Sequence, residues 1–161
     1  MSTKNIIRVV SIAIFMMFWL PWITVILSGC SGVSTLSYNG FELASSGVRY
    51  YDSQLIEPLY FLFVVPLSAL LILLLSAIKT VMLRARLQIV TDFIGLLSLL
   101  LSYLGVQEFL QTLRERGSVE YKVEPSLWFT IFGFFAILIM AFLEKQRHPN
   151  DQAITESENN D

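Results

Sequence analysis

Apolar residues along this chain come in long blocks parted by short mixed segments, whereas a soluble domain disperses them at helical or strand spacing around one core. Four blocks, at residues 6–28, 58–78, 87–106 and 126–143, are long enough at about 1.5 Å per residue to cross a hydrocarbon layer of about 30 Å. The pattern predicts an all-α membrane protein built as a bundle of four transmembrane helices. Arg8 interrupts the first block near its start, and Pro66 lies inside the second. Proline lacks a backbone donor, so a kink is expected there.

The segments between the blocks carry their own periodicity. Val33-Ser34-Thr35-Leu36-Ser37-Tyr38 precedes Asn39-Gly40 and then Phe41-Glu42-Leu43, which reads as a β-hairpin closed by a primed turn at Asn39-Gly40. Val119-Glu120-Tyr121-Lys122-Val123 alternates apolar and polar residues between Gly117 and Pro125, a third strand able to join that hairpin. Residues 107–116 put Phe109, Leu110 and Leu113 on one helical face, so the third helix should outrun the lipid and end at Gly117. The fold expected is thus a four-span membrane domain over residues 1–147 with a small extracytoplasmic hairpin or three-stranded sheet. Residues 148–161 hold too little apolar surface to offset ordering entropy and read as a disordered, acidic cytoplasmic tail. No internal repeat suggests an inverted-repeat transporter.

Composition strengthens the membrane reading: 55% of residues are hydrophobic and 15% charged, with mean hydropathy +0.64. The net charge of −2 offers no basic surface for nucleic acid. Basic residues set the orientation, because short cytoplasmic loops are enriched in them. With both termini in the cytoplasm, Lys4, Arg8, Lys79, Arg84, Arg86, Lys145 and Arg147 lie inside, against Arg49, Arg114, Arg116 and Lys122 outside. The connection holding Lys79, Arg84 and Arg86 has no acid and decides the matter. The location expected is a plasma or bacterial inner membrane.

Inside the spans, Thr91, Gly95, Ser98, Ser102 and Gly105 recur at four- and three-residue spacing, a stripe of small side chains on one helical face. Lipid offers apolar side chains as good a solvent as protein does, so close backbone approach and short hydrogen bonds must drive packing along that stripe. Thr130 and Gly133 are a complement on the fourth span. Asp92 is the ionisable residue well inside a span, an intramembrane polar site by default. Arg84 and Arg86 lie close in sequence, which favours structural pairing or snorkelling over transport. Trp19, Trp22 and Trp128 fall at the outer ends of spans, as an interfacial aromatic belt requires. The Phe residues clustered at positions 129–135 read as lipid-facing bulk.

Leu27-Ser28-Gly29-Cys30 has the form of a bacterial lipobox, behind Lys4, Arg8 and an apolar stretch. Cleavage before a lipidated Cys30 would leave three spans and a lipid anchor. The length of the first block and the rigid Trp19-Leu20-Pro21-Trp22 favour an unprocessed chain, with Cys30 a small buried or interfacial hydrophobe.

Chemistry is sparse. The chain has one His, at position 148 in the tail, one Cys and no glycine-rich phosphate loop. This inventory points to no catalytic, metal or cofactor site, and no spacing pairs two outer carboxylates. Four spans, cytoplasmic termini and a strand-bearing first outer loop longer than the second resemble the claudin-type architecture in topology. Claudins carry a tryptophan and paired cysteines in that loop, whereas this loop has Cys30 alone. Pro21-Trp22, Cys30-Ser31-Gly32 and Gly40-Phe41-Glu42-Leu43-Ala44 are also similar to small uncharacterised bacterial four-span membrane proteins, a resemblance that implies no activity. The expected function is a non-catalytic accessory or scaffold subunit, in contact with membrane lipids and with a protein partner or further copies of itself. The rivals are a small oligomeric transporter or channel using Asp92, and a membrane enzyme acting on lipid or cell-envelope substrates.

Overall fold

The computed structural model describes residues 3–29, 32–50, 53–115 and 119–147. It is mostly helical, with a small three-stranded antiparallel sheet. Helix α1 (Thr3–Met17) leads into strands β1 (Pro21–Gly29) and β2 (Gly32–Asn39), followed by the short helix α2 (Gly40–Ser45). A two-stranded ribbon, β3 (Val48–Tyr50) and β4 (Ser53–Ile56), comes next, then a 3-10 turn (Tyr60–Phe63) running into α3 (Val64–Leu75). Helix α4 (Val81–Glu115), strand β5 (Val119–Val123) and helix α5 (Pro125–Arg147) complete the described chain. Helix α1 packs on α3 and α5, and α4 packs on the same two from the opposite side. The core between them is formed by Ile7, Ile14, Val65, Ala69, Ile72, Leu99, Phe134 and Ile137.

The first apolar block is not one helix. It turns from helix to strand after Met17, because Trp19-Leu20-Pro21 ends the helical turn and Ile23-Thr24-Val25-Ile26 is a run of β-branched residues. The hairpin therefore shifts as well. Its arms are β1 and β2, in register from Pro21↔Asn39 to Gly29↔Gly32, and not the segments on either side of Asn39-Gly40. Trp22 is an extra residue in that register, and the bulge lets Trp22, Ile23 and Val25 all face the core.

Asn39-Gly40 starts a helix. The Asn39 side chain accepts from the Glu42 amide at 2.8 Å, and the Glu42 carboxylate accepts from the Asn39 amide at 3.0 Å, a reciprocal cap that satisfies two donors. Gly40 is required by space: a Cβ there would stand 2.6 Å from the Phe18 ring and 2.9 Å from the Phe18 carbonyl oxygen. The positive φ among the described glycines is at Gly47, at 66°.

Strand β5 joins the sheet as the sequence predicts, pairing with β1 from Ile23↔Val123 to Leu27↔Val119, so the order is β2-β1-β5. Helix α4 continues unbroken to Glu115; Gly117, Cys30 and the 148–161 tail lie outside the described residues. In α3, Pro66 falls in the first turn, just after the 3-10 segment, where a missing donor costs little, so the proline starts a helix and does not bend one.

Candidate functional site

Two polar features stand out: a column of side chains between the helices and the sheet that covers the opposite end. The column is set by spacing on α4, where Arg84, Gln88 and Asp92 recur every four residues and so share a face. All three are buried, Gln88 and Asp92 to 0% exposure. Arg84 Nη2 donates to Glu144 Oε1 on α5, and Arg84 Nη1 donates to the Ile78 carbonyl at 3.1 Å. Arg84 is therefore committed away from Asp92, and Arg86 is exposed, so the expected pairing of Asp92 with either arginine is not present. At the same end, Arg8 Nε on α1 donates to Ser76 Oγ at 2.8 Å.

Among the described residues, both Asp92 oxygens, both polar atoms of the Gln88 carboxamide, Arg84 Nε and Glu144 Oε2 have no hydrogen-bond partner. Past Asp92 the column stops. One turn farther along α4, the Cβ position of Gly95 meets the Phe134 ring at 2.9 Å and Ser68 Cβ at 3.0 Å. Beyond it Leu99, Val65, Leu62 and Val106 fill the space, around a cavity of about 20 Å³ lined by Trp22, Leu99 and Leu127 among others. No group of three or more His, Cys, Asp or Glu among the described residues could hold a metal ion.

The small-residue stripe is packed from Thr91 to Ser102. Ser98 Oγ donates to the Phe61 carbonyl at 2.6 Å and Ser102 Oγ to the Ser98 carbonyl at 2.7 Å. Gly105 has nothing within 4 Å of its Cβ position and lies on an exposed part of α4, so the packed stripe ends one turn earlier. Gly133 serves a different contact: its Cβ position is 2.8 Å from Ile14 Cγ1 of α1, and Thr130 bonds back to the Ser126 carbonyl within α5.

The sheet is bound firmly to the helices. Tyr121 on β5 donates to Gln107 Oε1 at 2.8 Å, and Gln107 Nε2 donates to Tyr103 Oη at 2.7 Å, both on α4. Ser126 Oγ donates to the Pro21 carbonyl, and the Glu124 amide donates to the Trp22 carbonyl at 2.8 Å. Trp22 is not part of an interfacial belt: it is 2% exposed, and its indole N–H donates to the Met17 carbonyl at 2.8 Å. Trp19 and Trp128 are half exposed, and Trp19 stacks on Phe41 at 4.9 Å between centroids. Beside β5, Gln107, Glu120, Tyr121, Lys122 and Val123 line an open depression.

No protein-family profile, curated protein or solved structure matches the chain. The column was half legible in the sequence, which singled out Asp92. Gln88 and Glu144 escaped notice, although the Arg84-Gln88-Asp92 spacing was there to be read.

Proposed function

We propose that the chain is a four-span integral membrane protein serving as a non-catalytic scaffold or accessory subunit, with both termini in the cytoplasm and the three-stranded sheet outside. Among the described residues, Val81–Gln107 and Pro125–Gln146 are long and apolar enough to cross a membrane. Only 39% and 33% of their apolar windows are buried, far less than a soluble core helix would hide. Leu97, Leu100, Leu101, Leu104, Phe129, Phe132 and Ile139 are all 45% exposed or more, which suits lipid as the solvent. Helices α1 and α3 are shorter. At about 1.5 Å per residue, α1 covers about 22 Å, so a locally thinned bilayer would meet them, with the aromatic group of Phe18, Trp19, Phe41 and Phe63 at their outer ends.

The observation that carries the scaffold reading is the filled helix interior on the outer side of Asp92. Among the described residues the buried polar column does not continue past Asp92, while beyond it the sheet is braced by side-chain hydrogen bonds from Tyr121 to Gln107 and from Ser126 to the Pro21 carbonyl. Extraction in mild detergent followed by native mass spectrometry tests this reading. A stoichiometric assembly should appear, and charge reversal at Glu120 and Lys122 should dissolve it without unfolding the chain. A lone monomer in every extraction would contradict it. The column itself favours a second reading, a transporter whose cycle uses Asp92. A substrate-dependent flux abolished by Asp92→Ala would put that reading first.

A further inference from the structure

We propose that Asp92 and Gln88 form an intramembrane proton-binding site, in which one proton held on the Asp92 carboxyl closes a neutral, doubly hydrogen-bonded carboxyl–carboxamide ring. The inference rests on the membrane embedding of α4 and not on the scaffold role.

Asp92 and Gln88 are four residues apart on one helical face, a spacing at which Gln and Asp side chains reach each other. Both are fully buried, and all four of their polar side-chain atoms lack a partner. An ionised carboxylate has no proton to give, so it could accept from Gln88 Nε2 while Gln88 Oε1 stayed unsatisfied. A protonated carboxyl donates its O–H to Gln88 Oε1 and accepts from Gln88 Nε2 through its other oxygen. A single proton thus accounts for the four atoms together and removes an uncompensated charge from a dry interior.

The surrounding charges agree. On α4, Arg84 is held by Glu144 and the Ile78 carbonyl, and Arg86 is exposed. On α5, Glu144 is the acid facing the column, and Lys145 lies beyond it. On α1, Arg8 bonds Ser76 and Lys4 is farther toward the terminus, while α3 carries no ionisable residue. Lys79, in the connection before α4, is exposed, and no described cation bonds either Asp92 oxygen. The two remaining unpartnered atoms, Arg84 Nε and Glu144 Oε2, lie on the side of the pair toward the end shared by Arg8, Ser76 and Arg84. The proton is expected to enter and leave from that end, since Phe134 and Gly95 close the other.

Three readouts on the full chain in lipid nanodiscs test the site. Difference infrared spectroscopy at neutral pH should show a protonated carboxyl C=O stretch that is lost in Asp92→Asn. The hydrophobic reagent dicyclohexylcarbodiimide, which adds to protonated carboxyls in apolar surroundings, should modify Asp92, with labelling at that peptide falling to background in Asp92→Asn. Asn keeps a donor and an acceptor for Gln88, so this variant should hold its unfolding midpoint within about 2 °C, whereas Asp92→Leu and Gln88→Leu should each lower it by about 4 °C or more. A carboxylate signature for Asp92 at neutral pH, absence of carbodiimide adduct there, or an Asn variant as unstable as the Leu variant would overturn the proposal. So would a cation retained stoichiometrically through desalting and lost in Asp92→Asn.

Discussion

Single side chains in this protein decide how close two backbones come. Gly40 lies against Phe18, with a Cβ position 2.9 Å from a backbone oxygen that cannot rotate away, so Gly40→Val should destabilise the sheet and α2 by about 2 kcal/mol or more. Amide exchange confined to the sheet and α2 would register that loss while the helices remain protected. Gly95 is the equivalent point between α3, α4 and α5. Gly95→Leu should cost about 1–3 kcal/mol, against less than about 1 kcal/mol for Leu97→Ala, which truncates a 45% exposed side chain. Equal thermal stability of the two variants in detergent would remove the reason for assigning the packed face. The small-residue pattern made Gly95 legible in advance. Gly105 fits the same pattern and packs against nothing, because spacing reports which face a residue shares and not how far along the helix a neighbour reaches.

At the level of elements, what the sequence conceals is the change of state inside an uninterrupted apolar run. Residues 6–28 satisfy a length criterion for a span, yet Pro21 and the β-branched residues after it favour a strand, and a strand in the middle of a sheet is as apolar as a helix. Asn39-Gly40 was similarly ambiguous. Asn-Gly between apolar residues is a turn signal, but Glu42 three residues after Asn39 is a capping signal, and the cap prevails where Phe18 covers Gly40. Glu42→Ala should therefore weaken α2 by about 1 kcal/mol and leave the β1–β2 pairing intact, whereas a hairpin turn at that place would be indifferent to Glu42. Exchange rates at the Asn39 and Glu42 amides measure the difference. Strand β5 was read correctly from its alternation, since five residues bounded by Gly117 and Pro125 leave little else for the period to mean.

The whole molecule joins a helical body, whose polar column ends at Asp92, to a sheet assembled from two segments about eighty to a hundred residues apart in sequence. In the four-span arrangement proposed, pairing of β1 with β5 puts both segments on one side of the bilayer and the basic connection before α4 on the other. Composition and block length pointed to apolar helices, and among the described residues two of the four blocks are helices long and apolar enough to cross a membrane. The pairing of β1 with β5 and the closure of the column were not legible in full, because both depend on which residues meet in space. The most direct test is cysteine accessibility in a Cys30→Ser background, with single cysteines at Thr35 on β2, Lys122 on β5 and Thr80 before α4, all exposed positions. A membrane-impermeant maleimide should label Thr35→Cys and Lys122→Cys in intact cells, and Thr80→Cys only after permeabilisation. Labelling of Thr80→Cys from outside, or opposite accessibility of Thr35→Cys and Lys122→Cys, would contradict a single outer sheet above four spans.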